Sequence, residues 1–204
     1  MIISSIHKFI REIRLSLERY FIKNRKSKSI ICNNCLGGIL SHDFRLQFSS
    51  PFVNLWIPTS QYVELLNQID DLGKFNLIEL PSNANQYPIG LLNGKWRIHF
   101  QHYKTINEAK YKWSERIKRM DFSDLYVIMV ETCGCTYEDL VSFDKLPFKN
   151  KIALVHRPYP EIKCAFYIKG YNGKGENGEI LWPSHFWGTC LYDQVNWVRF
   201  LNLK

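Results

Sequence analysis

The sequence predicts an α/β fold: three layers, α/β/α, around a mixed, mainly parallel sheet, preceded by an N-terminal amphipathic helix. Three observations carry this expectation. Short apolar runs bounded by turn residues recur along the chain, the strongest at 125–131 (LYVIMVE) and 151–156 (KIALVH). Between them lie stretches with helical periodicity, several opened by a threonine, serine or aspartate. The 204 residues are 46% hydrophobic and 15% aromatic, enough for one domain to bury a core without disulfides.

The first element is a helix over 3–22. Ile3, Ile6, Ile10, Ile13, Leu17 and Tyr20 follow one another at steps of three and four and form an apolar stripe. Lys8, Arg11, Glu12, Arg19 and Lys23 share the opposite face. The stripe suits packing on the body of the protein or on a second copy, or contact with an anionic membrane surface through residues 3–24. Residues 23–29 (KNRKSKS) read as a solvated basic linker that leaves the helix apart from the core. The expected organisation is thus a basic helix and linker over 1–28 and a single α/β domain over 29–204.

The domain begins with a buried strand at 29–32, which ends in Asn33-Asn34-Cys35, and Gly37-Gly38 lead into a helical stretch at 39–44. The apolar run 52–57 predicts a second strand, and Thr59 or Ser60 caps a helix to about 69. A third strand is expected at 75–80 and a turn-rich connection over 81–88. A fourth strand is expected at 96–103. Thr105 with Glu108 makes a capping box that opens a basic helix to about 120. After the strand at 125–131, Cys133-Gly134-Cys135-Thr136 turns the chain and Thr136 caps a helix over 137–143. The strand at 151–156 stops before Pro158. A further strand is expected at 164–171, a glycine-rich loop at 172–179, and a last helix at 194–203 capped by Asp193.

In open α/β sheets ligands bind beyond the carboxyl ends of the strands. That rule collects Asn34, Cys35, Gly37 and Gly38 after the first strand and His102 and Tyr103 after 96–102. It adds Glu131, Cys135 and Thr136 after 125–131, and His156, Arg157 and Tyr159 after 151–156. The Gly-Gly turn before a helix suits an anion such as a diphosphate, although neither dinucleotide nor P-loop spacing is present. Cys35 at a helix N-terminus is a candidate nucleophile with a lowered pKa, and His102 or His156 its base.

The formal net charge of +8 favours anionic partners, but much of the excess lies within residues 8–28. Nucleic acid is not expected: Lys110, Lys112, Arg116, Lys118 and Arg119 alternate with Glu108 and Glu115, as on a solvated helix face. No metal is expected either. Cys32 and Cys35 are far in sequence from Cys133 and Cys135, and His99 and His102 fall on opposite faces of a strand. The six cysteines read as free thiols of a cytoplasmic protein, with no secretory signal and no membrane span.

Several motifs resemble the Exo-like family of exopolysaccharide-biosynthesis proteins, the domain of unknown function 1919, over about 29–202. They are Asn34-Cys35-Leu36-Gly37-Gly38, then Phe48, Ser50, Pro51, Asn54 and Leu55, then Tyr87-Pro88 with Gly90. Ile98-His99-Phe100 with His102-Tyr103 comes next, and Ala109, Trp113 and Arg116 fit the helix after it. Cys133-Gly134-Cys135-Thr136 has a cysteine where the family usually has an acid. Phe143-Asp144, Leu146-Pro147, His156, Pro158-Tyr159-Pro160 and Tyr192-Asp193-Gln194 complete the series.

The resemblance implies a layered α/β/α fold and a place in capsule or exopolysaccharide synthesis. Combined with the strand-end residues, it leads to three expectations. One is a transferase acting on a nucleotide-sugar or lipid-linked glycan at the inner face of the cytoplasmic membrane, without a cofactor. There the Gly-Gly turn and Arg157 would hold phosphates, and Asp144, His102 or His156 would be the general base. Another is a Cys–His acyltransferase that decorates the polymer through Cys35. The third is a non-enzymatic scaffold of the assembly complex.

Overall fold

Four strands lie side by side and run the same way, and the other elements are arranged around them. A computed structural model describes residues 2–26 (side chains from 6), 28–81, 87–175, 179–181 and 189–203. In chain order the elements are α1 (Ile2–Tyr20), β1 (Ser29–Cys32), α2 (Leu36–Asp43), α3 (Thr59–Leu66), β2 (Leu77–Leu80), β3 (Ile89–Leu92), β4 (Trp96–His99), α4 (Ile106–Ile117), β5 (Leu125–Val130), α5 (Tyr137–Lys145), β6 (Asn150–Val155), β7 (Ala165–Tyr167) and α6 (Trp197–Leu201). The main sheet has the order β1-β5-β6-β7, with every pair parallel. The antiparallel strands form a second sheet, β2-β3-β4, instead of edges on the first.

Alternation along the parallel strands divides the core into two clusters. Ile31, Val127, Met129, Ala153 and Val155 face the side covered by the small sheet, α3, α4 and α5. Ile30, Cys32, Tyr126, Ile128, Val130 and Leu154 face the side covered by α2 and α6. Every residue of β5 is buried, which accounts for its unbroken apolar sequence.

Three expected elements take a different form. Residues 52–57 are buried except for Asn54, and they are not a strand. Asn54 has a left-handed backbone (φ 60°), and Trp56 makes an isolated antiparallel bridge with His99. The strand expected at 96–103 ends at His99, where the chain turns. The last helix covers Trp197–Leu201 and is capped by Asn196, whose side chain accepts the Arg199 N–H at 2.9 Å. Asp193 instead closes the preceding 3-10 turn by accepting the Cys190 N–H at 2.6 Å. Parts of the expected 81–88 connection (82–86) and glycine-rich loop (176–178) lie outside the described residues.

The basic segment does not leave α1 apart from the body. Leu15 and Ile22 are buried against it, and Arg11 is clamped between carboxylates. Its guanidinium donates to Asp193, to Asp43 at 2.6 Å and to the Tyr192 hydroxyl at 2.6 Å. Arg14 also pairs with Asp193 at 2.9 Å, and Arg19 donates to the Asp43 backbone oxygen at 2.5 Å. The helix therefore docks through its charged face. Its apolar stripe points outward, with Phe9 67%, Leu17 65% and Tyr20 85% exposed.

In the small sheet, the side chains of Leu77 and Phe100 fill the space beside Gly90 of β3. A Cβ there would meet Leu77 Cδ1 at 2.6 Å and Phe100 Cε2 at 2.9 Å. Gly90→Ala is expected to lower unfolding free energy by about 1–3 kcal/mol through overpacking. Urea denaturation checks this, and an unchanged midpoint would contradict the packing described.

Candidate active site

Parallel pairing sets the carboxyl ends of β1, β5 and β6 along one edge, as the strand-end rule requires. The residues beyond each of these strand ends differ in kind.

After β1 the side chains are used by the fold. Asn33 extends the ladder beyond the strand: its Nδ2 donates to the Val130 carbonyl at 2.9 Å and its Oδ1 accepts the Val130 N–H at 2.8 Å. Asn34 Oδ1 accepts the Leu36 N–H at 3.0 Å and the Cys32 thiol at 3.2 Å. Gly37 and Gly38 are buried and admit protein. A Cβ on Gly37 would lie 3.0 Å from Cys32 Cβ, and one on Gly38 would lie 3.1 Å from Val53 Cγ1. The turn read as an anion cradle is thus filled by β1 and by the 51–57 segment.

Cys35 is enclosed as well. Its sulfur lies 3.8 Å from the Leu55 carbonyl and 3.8 Å from Gln101 Oε1. Burial pushes its thiol up to about 11, so desolvation outweighs the lowering expected of a helix N-terminus. His102 sits on an exposed turn after β4, and its neighbour Gln101 is the residue that reaches Cys35. Tyr103 is buried, donating to the Val53 carbonyl at 2.9 Å and accepting from Arg116.

Thr136 caps α5 in a reciprocal box with Asp139, at 3.1 and 2.9 Å. Asp144 sits near the end of α5, and its carboxylate accepts the Cys164 N–H at 2.9 Å. Partial burial raises that carboxyl, but hydrogen bonds from the Cys164 thiol and from the Cys164 and Lys163 backbone, with the nearby Lys151, hold it below its ordinary value. It ties α5 to the start of β7 and does not join the group at the strand ends.

After β5 and β6 the edge carries a carboxylate and an imidazole in contact. Glu131, almost fully buried, accepts the His156 backbone N–H at 2.8 Å and faces His156 Nδ1 at 2.7 Å on the same oxygen. A carboxylate only accepts, so Nδ1 donates to it, and in the neutral ring this tautomer leaves the lone pair on Nε2. The ring is about one-third exposed (34%), enough for contact with a solute.

Around this pair, Tyr171 donates to the Glu131 backbone oxygen and Cys133 N–H donates to the Gly175 carbonyl at 3.1 Å. A Cβ on Gly173 would meet His156 Nδ1 at 2.9 Å, so the loop after β7 lies directly against the ring. Arg157 is exposed beside it, 4.9 Å above the Tyr159 ring, with Nε donating to the Tyr159 hydroxyl at 2.9 Å. Tyr137 lies 6.1 Å from Tyr159. Thr132 and Thr59 share a buried hydroxyl contact of 3.1 Å.

The structure thus brings together His156, Arg157 and Tyr159 from the residues that sequence singled out, and supplies the Glu131 partner. Sequence placed Glu131 at its strand end without a role. The available signal was an acid closing an otherwise apolar strand. The arrangement provides an oriented proton acceptor, a neighbouring cation and an aromatic surface. Among the described residues no cluster of His, Cys, Asp and Glu is arranged to hold a metal ion. Among them, too, no helix is long and apolar enough to cross a membrane.

A family model described as a domain of unknown function (DUF1919) matches residues 6–202. The chain is also similar to an uncharacterized protein of Haemophilus influenzae (strain ATCC 51907 / DSM 11121 / KW20 / Rd). That relative is 35% identical over 195 residues, which cover 91% of this chain and 92% of the relative.

The thiols order themselves for alkylation. Cys133 is exposed, Cys35 is buried with its thiol raised to about 11, and Cys32 is buried with its thiol raised to about 12. Brief iodoacetamide treatment of the native protein, read by peptide mass spectrometry, is expected to label Cys133 first and Cys32 and Cys35 last. Early labelling of Cys35 would restore the nucleophile reading.

Proposed function

This chain belongs to the DUF1919 family, and we propose that it is a transferase of capsule or exopolysaccharide synthesis, acting on a nucleotide-sugar or lipid-linked glycan at the cytoplasmic side of the membrane. The observation that carries the reading is the 2.7 Å contact between Glu131 and His156 at the carboxyl edge of the parallel sheet. The place in polysaccharide synthesis rests on the motif resemblance, which runs through His156 and Pro158-Tyr159-Pro160.

In this reading His156 Nε2 takes the proton of an acceptor hydroxyl as its oxygen bonds to the anomeric carbon of the donor. The bond from that carbon to the phosphate oxygen breaks, and the phosphate leaves with the electron pair. Glu131 stabilises the imidazolium that forms and fixes the ring's tautomer. Arg157 meets the phosphate charge, and Tyr159 offers its ring to a sugar face. The acyl-transfer alternative has less support, because Cys35 is enclosed and its thiol is raised.

A deletion strain complemented with variants tests this through the composition of its surface polymer and through transfer rates in its extracts. His156→Ala is expected to lower transfer roughly 10²–10⁴-fold. Glu131→Gln, which keeps a hydrogen bond but not the charge, is expected to lower it about 10–100-fold. Cys35→Ser should retain activity. Wild-type polymer from the His156→Ala strain, with that protein folded by circular dichroism, would end the proposal.

A further inference from the structure

Helix α1 presents its faces in the reverse of the usual order. A helix that serves only to pack turns its apolar stripe inward. Here the inward face is Arg11, Arg14, Leu15 and Arg19, satisfied by Asp43, Asp193 and Tyr192. Ile6, Phe9, Ile13, Leu17 and Tyr20 stand in solvent along the other side, and Phe21 extends them. This contiguous outward row needs an occupant.

Charge identifies it. Lys23 and Lys26 flank the end of the row. Both are exposed, and among the described residues neither pairs with a carboxylate. The carboxylates of the segment are already engaged: Glu18 with Arg14, and Glu12 with Arg19 and Arg45. A second copy of the chain, itself at +8, would bring the same lysines against these. An anionic lipid surface supplies both missing partners, acyl chains for the stripe and phosphates for the lysines.

We propose that α1 is a membrane-docking helix lying in the plane of an anionic bilayer, with Phe9, Ile13 and Leu17 among the acyl chains and Lys23 and Lys26 at the lipid phosphates. The Arg11 clamp holds the α/β body on the cytoplasmic side of that helix. Docking is independent of the chemistry assigned to His156, so each idea stands or falls alone.

The full chain is mixed with vesicles of pure phosphatidylcholine, or of equal parts phosphatidylcholine and phosphatidylglycerol, and sedimented. Binding to the mixed vesicles and little to the neutral ones is expected. Lys23→Gln with Lys26→Gln should weaken it roughly 25-fold, about fivefold for each lysine. Phe9→Gln with Leu17→Gln should weaken it about tenfold or more, with melting midpoint and circular dichroism unchanged because both side chains are exposed. Equal sedimentation with both vesicle types, or full binding by the Phe9→Gln/Leu17→Gln protein, would overturn the proposal. So would a solution dimer that Leu17→Gln splits, which would give the stripe to a second copy.

Discussion

β1 lies against β5 in parallel, with Ser29 opposite Leu125 and Cys32 opposite Ile128, and the chain between them has to leave one edge of the sheet and return to the other. That excursion contains α2, α3, the whole small sheet and α4. Closing so long a loop costs entropy, which the buried strands offset by removing the apolar face of β5 from water on both sides. Asn33 lengthens the contact beyond the four residues of β1 by presenting an amide where a backbone would otherwise pair. The register then continues into β6, where Val130 lies opposite Leu154 and the Glu131 N–H reaches the Leu154 carbonyl at 3.0 Å. The meeting of Glu131 and His156 is a consequence of that register, because a slip by one residue would send one side chain to the opposite face.

Where local chemistry and burial agree, the sequence was legible. The runs that became β5 and β6 are too apolar to be anything but buried strands, and the capping threonines 105 and 136 mark their helices by hydrogen bonds made within three residues. Residues 52–57 show where that logic stops. An apolar run predicts burial, and all of these residues but Asn54 are buried, but their N–H groups find partners one at a time: Ile57 with Asn33, and Trp56 with His99. β3 was not anticipated, because it is four residues long with a glycine inside and directly follows the turn-rich stretch 81–88.

The same distinction governs the site. The rule of strand ends collects His156, Arg157 and Tyr159 beside Glu131 because it depends only on topology. It collects Asn34, Gly37 and Gly38 as well, where the structure packs protein, because small and amide residues that admit a phosphate equally admit a neighbouring strand and loop. Which visitor occupies the space is decided by Val53 and Asn54, and their position is not written near the turn. Amphipathicity was similarly half-informative in α1. It distinguishes two faces but does not say which is docked, since the carboxylates that hold Arg11 lie at 43 and 193.

That clamp also imposes an order of events on biosynthesis. Arg11 is made 182 residues before its partner Asp193. At ribosomal speed the interval is roughly 10–40 s. Throughout it Arg11 and Arg14 lack the Asp193 carboxylate that they share, so the docked face of α1 is incomplete until the residues around 193 are made. A residue made late thus decides where one made much earlier rests.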